Sequence, residues 1–232
     1  MLVKENSLHL KEITLIGFAF GEQKYLRYLN WAYSNFNEKI SFGSVKFFIS
    51  EDINLSIEFL GFFEREKINV VRLPKGFGSP DYSKFVIKSL NEHIETKFVL
   101  NFQHDGFIFN TGAWKDEFLN YDYIGAVWPI VNWGEYLKGS DRVSFFGVGN
   151  GGFSLRSKKL LEALSKEETI KDSFHPEDFY VCSLHREMLE EKYGIKYAPR
   201  HIAEEFSVER GELTNQFGFH GKWFISRFLE KK

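Results

Sequence analysis

An α/β fold is expected, with a mostly parallel central sheet and helices on both faces. Three observations predict it. The first 105 residues alternate apolar, β-branched runs with stretches of helical spacing four times, the signature of right-handed parallel βαβ units. Hydrophobic residues make up 43% and charged residues 27% of the 232, the balance of a globular chain and not of a disordered one. No repeat, low-complexity tract or linker divides the chain, so 1–232 reads as a single domain.

The elements follow in order. Residues 11–19 (KEITLIGFA) are a buried first strand, ending near Gly17 and Gly21. Residues 22–36 carry Tyr25, Leu26, Leu29, Ala32, Tyr33 and Phe36 at helical spacing. Residues 44–50 are a second strand closed by Ser50-Glu51-Asp52, 54–66 a helix with Ile57, Leu60 and Phe63 on one face, and 68–73 a third strand stopped by Pro74. Ser79 as N-cap and Pro80 at the first helical position open the next helix. Residues 97–102 (KFVLNF) form the fourth strand and lead into Gln103-His104-Asp105-Gly106. The pattern then loosens. Residues 114–119 make a helical turn or two, 123–128 a strand, 129–147 a long loop expected to be mobile and to act as a lid, and 151–155 a short strand. Helices are expected over 157–166 and 176–192, the second opened by Pro176 and closed by Gly194.

Charge and cysteine content exclude several classes. Net charge is 30 − 32 = −2 and the isoelectric point is near 6.4, so no nucleic-acid partner is expected. Cys182 is the only cysteine, which excludes an intramolecular disulfide and a cysteine-rich zinc site and suits a reducing compartment. Lys4, Glu5, His9, Lys11 and Glu12 interrupt the N-terminal apolar residues, and no run approaches the roughly 20 apolar residues of a membrane span. A cytoplasmic protein is expected, with peripheral attachment to the inner membrane face near Lys222-Trp223-Phe224 left open. The 26 phenylalanines fit a large core, a sugar-facing cleft or AT-rich coding DNA.

Four constellations can carry chemistry. Asp105 ends the fourth strand and precedes a glycine. Strand ends are where open α/β sheets bind ligands, and a carboxylate there holds a metal or a ribose, or simply makes an Asp-Gly turn. Gly147 to Arg156 puts four glycines in six residues before a strand; it fits neither a Walker nor a Rossmann loop, which leaves close packing against a ligand or a glycine-rich hairpin. His175-Pro176-Glu177-Asp178 places two acids at a helix start, where they serve either the helix dipole or general-base catalysis. Phe217-Gly218-Phe219-His220-Gly221-Lys222-Trp223 sets a histidine among glycines and aromatics, suited to a metal, a diphosphate or a structural contact.

Together these pieces resemble a bacterial family catalogued as a domain of unknown function and related to GT-A glycosyltransferases. The matching stretches are residues 82–85 (YSKF), 103–107 (QHDGF), 122–126 with Trp128, 148–157 (VGNGGFSLRS), 176–178, Phe206-Ser207 and 217–221 (FGFHG). The resemblance covers roughly residues 80–222 and, more faintly, the chain from residue 11. A looser similarity joins Tyr82–Asp105 and FHGKW to the glycogenin-like retaining transferases, in which a DxD motif and a histidine bind the metal. Here a single acid, Asp105, stands where a DxD has two, and position 103 is Gln.

The resemblance implies one GT-A-like domain, with a nucleotide-binding half over 11–105 and an acceptor and catalytic half over 106–232. It implies a hexosyltransferase-like enzyme that moves a sugar from a nucleotide-sugar donor to a glycan or lipid-linked glycan acceptor, in bacterial surface polysaccharide synthesis. Such a reaction needs a cation at the diphosphate, a base for the acceptor and a shaped sugar pocket. Mn²⁺ or Mg²⁺ on Asp105 and His220, with Lys84 or Lys222, answers the first need. Asp178 is expected as base, ionised at its helix start, with Glu177 turned further toward solvent as its poorer substitute. Gly151 and Gly152 beside Trp128 answer the third. Gln103, Ser50, Asp52 and the 17–20 loop are expected on the donor, and Asp105 and His220 in one cleft. Two readings compete: a non-catalytic nucleotide- or sugar-binding module on the same fold, which the single acid favours, and a metal-dependent nucleotidyl or phosphoryl enzyme, which would show a denser acid cluster.

Overall fold

The chain alternates strand and helix from its first described element, as the apolar periodicity predicts. The structure, a computed structural model, describes residues 7–128, 148–170, 175–222, 224 and 225. β1 (Leu8–Ala19), α1 (Gln23–Ser34), β2 (Ile40–Ser50), α2 (Ile57–Arg65), β3 (Asn69–Leu73), α3 (Ser79–Lys88) and β4 (Phe98–Phe102) build the first half of a six-stranded sheet. β5 (Tyr123–Gly125) and β6 (Phe153–Ser157) complete it, in the order β3-β2-β1-β4-β6-β5. β1 pairs in parallel with both β2 and β4, and β2 with β3. Only β6 runs against its neighbours. The sheet is therefore mostly parallel, as expected.

Both faces are covered, and strand alternation decides which residue goes where. Ile13, Leu15, Phe47, Ile49, Leu100, Phe102, Phe153 and Leu155 join Leu26, Leu29, Tyr33 and Phe63 in one core. Their neighbours Ile16, Phe18, Phe48 and Val99 face the other way and pack with Tyr82, Val86 and Leu90. On that second face the alternate positions of β4 and β6 are polar: Asn101, Ser154 and Arg156 are buried there.

The later helices are α4 (Lys158–Lys166), α5 (Glu177–Phe179), α6 (Arg186–Tyr193) and α7 (Arg200–Phe206), with a small parallel pair β7 (Ser207–Val208) and β8 (Gly218–Phe219). Three local expectations need correction. The N-cap of α3 is Gly78, not Ser79, because the Asp81 carboxylate accepts the Gly78 N–H at 2.9 Å. Gly17 lies inside β1, which runs on to Ala19, so only Phe20 of the expected 17–20 loop follows the strand. The single helix over 176–192 is instead α5, a π-turn over Tyr180–Leu184 and α6, broken at His185 and closed by Gly194 at φ 62°. The 129–147 loop lies outside the described residues.

Candidate functional site

Strand order reverses between β1 and β4: the chain winds outward from β1 through β2 to β3, then returns to the other side of β1. Such a switch point leaves a crevice beyond the carboxyl ends of the two strands. A cavity of about 530 Å³ opens there, lined by Phe20 and Gly21 after β1 and by Gln103 and His104 after β4. Tyr82, Gly152, Glu177, Asp178 and His220 close it. This volume lies in the usual range for small-molecule sites.

Asp105 and His220 meet because the chain clips the end of β4 to the C-terminal segment. The Gly221 N–H donates to the Asp105 carbonyl at 2.8 Å, and Phe219 N–H to Phe107 O at 3.2 Å. Gly106 makes the approach possible, since a Cβ there would come within 2.6 Å of the Phe219 carbonyl oxygen. The result is 3.3 Å between His220 Nε2 and Asp105 Oδ1, with Glu209 Oε1 3.7 Å from His220 Nδ1. Burial disfavours a charged imidazole, but Asp105 and Glu209 outweigh it and raise the His220 pKa to about 9. Burial likewise works against the Asp105 carboxylate, and His220 overcomes it, so its pKa is lowered.

Asp105 Oδ1 and both His220 ring nitrogens are buried without hydrogen-bond partners. Among the described residues no group of three or more His, Cys, Asp or Glu gathers as a metal site. Asp105 Oδ1 and His220 Nε2, unsatisfied and 3.3 Å apart, are nevertheless an oxygen and a nitrogen of the types that would hold one Mn²⁺ or Mg²⁺, which would displace the imidazole proton on binding.

Across the cavity, Asp178 is pinned by two backbone N–H groups. Gly151 N donates to Oδ2 at 2.9 Å and Phe179 N to Oδ1 at 2.8 Å. Burial first, then the charge of Glu177, push the Asp178 pKa up to about 7. The expectation that a helix start keeps this acid ionised is thus corrected: α5 is one turn long, and its terminus cannot offset desolvation beside a second carboxylate. Glu177 is also not turned to solvent. It is buried and accepts from Arg156 Nη2 at 2.8 Å, so its charge is committed to a fully buried guanidinium. Phe179 and Cys182 are buried as expected.

Gly152 lines the cavity, and any Cβ there would run into the His220 ring. Gln103 also lines it, with Nε2 3.4 Å from the Tyr82 hydroxyl. The other expected donor residues lie elsewhere. Ser50 is buried and donates to Asp52 Oδ2 at 2.9 Å, and Asp52 accepts the Gly76 N–H at 2.6 Å, so the pair braces the loops after β2 and β3 outside the cavity. Lys84 lines a separate depression with Lys75 and Asp81. Lys222 lines a smaller cleft on the far side of Asp105. Trp128 packs over Gly149 and lines a third hollow with Arg200 and Glu209, away from Gly152.

The family described as Protein of unknown function (DUF5672) matches residues 67–220, two thirds of the chain. The chain belongs to the DUF5672 family. The matched span holds Asp105, Gly151, Gly152, Asp178 and His220, whereas β1, α1, β2 and Lys222 fall outside it. No curated protein matches this DUF5672 chain. Among solved structures it is similar to core-mannan synthase A from Aspergillus fumigatus in its Mn/GDP form, with 11% identity and a TM-score of 0.42 over 76% of this chain and 64% of that one. It is similar to the mannosyltransferase PcManGT from Pyrobaculum calidifontis in complex with GDP-Man and Mn²⁺, with 12% identity and a TM-score of 0.42 over 81% and 54%. A third likeness is HddC from Yersinia pseudotuberculosis, with 11% identity and a TM-score of 0.40 over 70% and 81%. The DUF5672 chain thus spans less than two thirds of the first two. Among its described residues no helix is long and apolar enough to cross a membrane.

Sequence reasoning gave no role to Arg156 or Glu209. A signal for Arg156 was present: a charged residue alternating with Phe153 and Leu155 in a sheet covered on both faces requires a buried acid. The pair at 177–178 is a source of one.

Proposed function

We propose that the chain is a nucleotide-sugar-dependent glycosyltransferase that moves a sugar to a glycan or lipid-linked glycan acceptor. The observation that carries this reading is the cavity at the β1/β4 switch point, with His220 on one wall, its unsatisfied Nε2 3.3 Å from Asp105 Oδ1 behind it, and Asp178 on another wall. The motif resemblance points the same way, and surface polysaccharide is the acceptor it suggests.

The chemistry required is breakage of the bond between the sugar's anomeric carbon and the diphosphate oxygen, formation of a bond to an acceptor oxygen, and removal of the acceptor's proton. A divalent cation, when bound, would supply positive charge to the departing diphosphate, and Asp105 and His220 would hold it. Asp178, which lines the cavity, accepts the proton on its carboxylate, and a pKa near neutrality matches that task. The Gly151 N–H holds the carboxylate in place. Arg156 keeps Glu177 engaged, so that Asp178 alone is available as base. Phe20, Tyr82 and the Gly152 backbone shape the donor pocket.

The test is incubation of the purified protein with a panel of nucleotide sugars and Mn²⁺, measuring free nucleoside diphosphate. Release from one donor, lost in Asp178→Asn, supports the enzyme. Tight binding of a nucleotide sugar without release supports the second reading, a non-catalytic binding module, which the single acid at the DxD position favours.

A further inference from the structure

A transferase needs two substrates at one centre, and the molecule has a second cleft that converges on the first. It measures about 240 Å³ and is lined by Tyr25, Tyr28 and Trp31 of α1 and by His104, Asp105 and Lys222. Tyr25 and His104, whose ring centroids are 4.5 Å apart, line both cavities and form the wall between them. Asp105 therefore carries the smaller cleft to the place where its Oδ1 meets His220.

The lining has a recognisable chemistry. Tyr25, Tyr28 and Trp31 recur at i, i+3 and i+6 along α1, which keeps them on adjoining strips of its surface. Trp31 is anchored edge-on against Phe107 at 5.4 Å, whereas Tyr28 is 40% exposed. An exposed tyrosine at a cleft mouth is a flat apolar surface with a polar tip. A carboxylate and an ammonium group, from Asp105 and Lys222, sit at the other side. A pyranose ring needs this combination: an apolar face for its C–H groups, and hydrogen-bonding partners for its hydroxyls. At about 240 Å³ this cleft is less than half the size of the 530 Å³ cavity, and a nucleoside diphosphate fits the larger one better.

We propose that this cleft is the acceptor subsite and binds a pyranose ring stacked on Tyr28, with Asp105 and Lys222 on its hydroxyls. The proposal rests on the transferase reading above and adds the place and chemical class of the acceptor. Its test uses the full chain and three probes, the methyl α-pyranosides of glucose, galactose and mannose. Saturation-transfer NMR is run with each probe, with and without nucleoside diphosphate and Mn²⁺. Saturation of the ring protons of at least one probe is expected, weakened roughly tenfold or more in Tyr28→Ala and restored in Tyr28→Trp. Because Tyr28 lines only the smaller cleft, nucleoside diphosphate binding by Tyr28→Ala serves as the control for folding. No saturation of any probe by the wild type, or equal saturation of wild type and Tyr28→Ala, overturns the acceptor subsite. Absence of nucleoside diphosphate binding and of donor turnover in the wild type instead overturns the transferase reading, which the same samples report separately.

Discussion

Arg156 Nη2 and Glu177 Oε1 form a 2.8 Å ion pair with both side chains shielded from water. Glu177 lines the cavity next to Asp178, and Arg156 lies behind it, two strand positions from Ser154, whose hydroxyl accepts from Arg156 Nε at 3.1 Å. The ion pair ties β6 to α5 and so couples the sheet to the segment that carries the proposed base.

Breaking this pair leaves a charge in the interior without its partner. Glu177→Gln and Arg156→Met should each lower unfolding free energy by about 3–5 kcal/mol. Urea denaturation of the two single variants and the double variant reads this directly. The double variant should cost much less than the sum of the singles, because it leaves no isolated charge. Additive costs would show that the two side chains act independently.

Gly152 has no room for a side chain. Its substitution by Ala drives a methyl group into the His220 ring, and the ring must shift, which disturbs its 3.3 Å approach to Asp105. We expect a stability loss of roughly 1–3 kcal/mol, as for overpacking elsewhere, together with weakened Mn²⁺ binding. Loss of stability with unchanged Mn²⁺ affinity, measured by calorimetry, would separate the packing role from the proposed cation site.

Asp105→Asn keeps the shape of the side chain and removes its charge. If Asp105 and His220 hold a cation, Mn²⁺ should strengthen nucleoside diphosphate binding in the wild type. The Asn variant should lose at least the roughly 10–100-fold that even the outer partners of a metal site are worth. Titration calorimetry with and without Mn²⁺ measures this. Equal affinities under both conditions in the wild type would remove the cation from the proposal.

The parallel half of the sheet was legible because β1 to β4 carry their apolar residues in short, uninterrupted runs, and turn residues such as Pro74 mark the ends. The return of the chain through β6 was harder to read, since antiparallel insertion between β4 and β5 depends on pairing between residues about 55 positions apart, such as Asn101 and Ser154. At the site, strand-end position singled out Asp105, and glycine neighbours singled out His220. The same logic picks Ser50 and Asp52, which lie outside the cavity and brace the loops after β2 and β3, because an acid after a strand braces a loop as readily as it binds a ligand. Glu177 was misread because its partner, Arg156, is 21 residues away in sequence and invisible to helical spacing.

The last prediction concerns pH and Asp178. Its pKa is raised on folding from the ordinary value of 3.8 to about 7, first by burial and then by the charge of Glu177. Between those values the folded protein holds a proton that the unfolded chain has released. Stability therefore falls as pH rises through that window, and the fall is complete above about pH 7. Asp178→Asn resembles the protonated acid and should abolish this fall, so urea midpoints of wild type and variant should diverge most above neutral pH. Activity has the opposite slope. A base works only when deprotonated, so turnover should climb about tenfold per pH unit below the pKa and level off above it. Above that pKa turnover in Asp178→Asn should be roughly 10²–10⁴-fold lower, the gap narrowing as pH falls and the wild type loses its base, with nucleoside diphosphate binding nearly unchanged. The two measurements together distinguish roles. A variant that loses the pH dependence of stability but transfers sugar at near-normal rates would assign Asp178 to holding Gly151 and would favour a retaining route that needs no protein base.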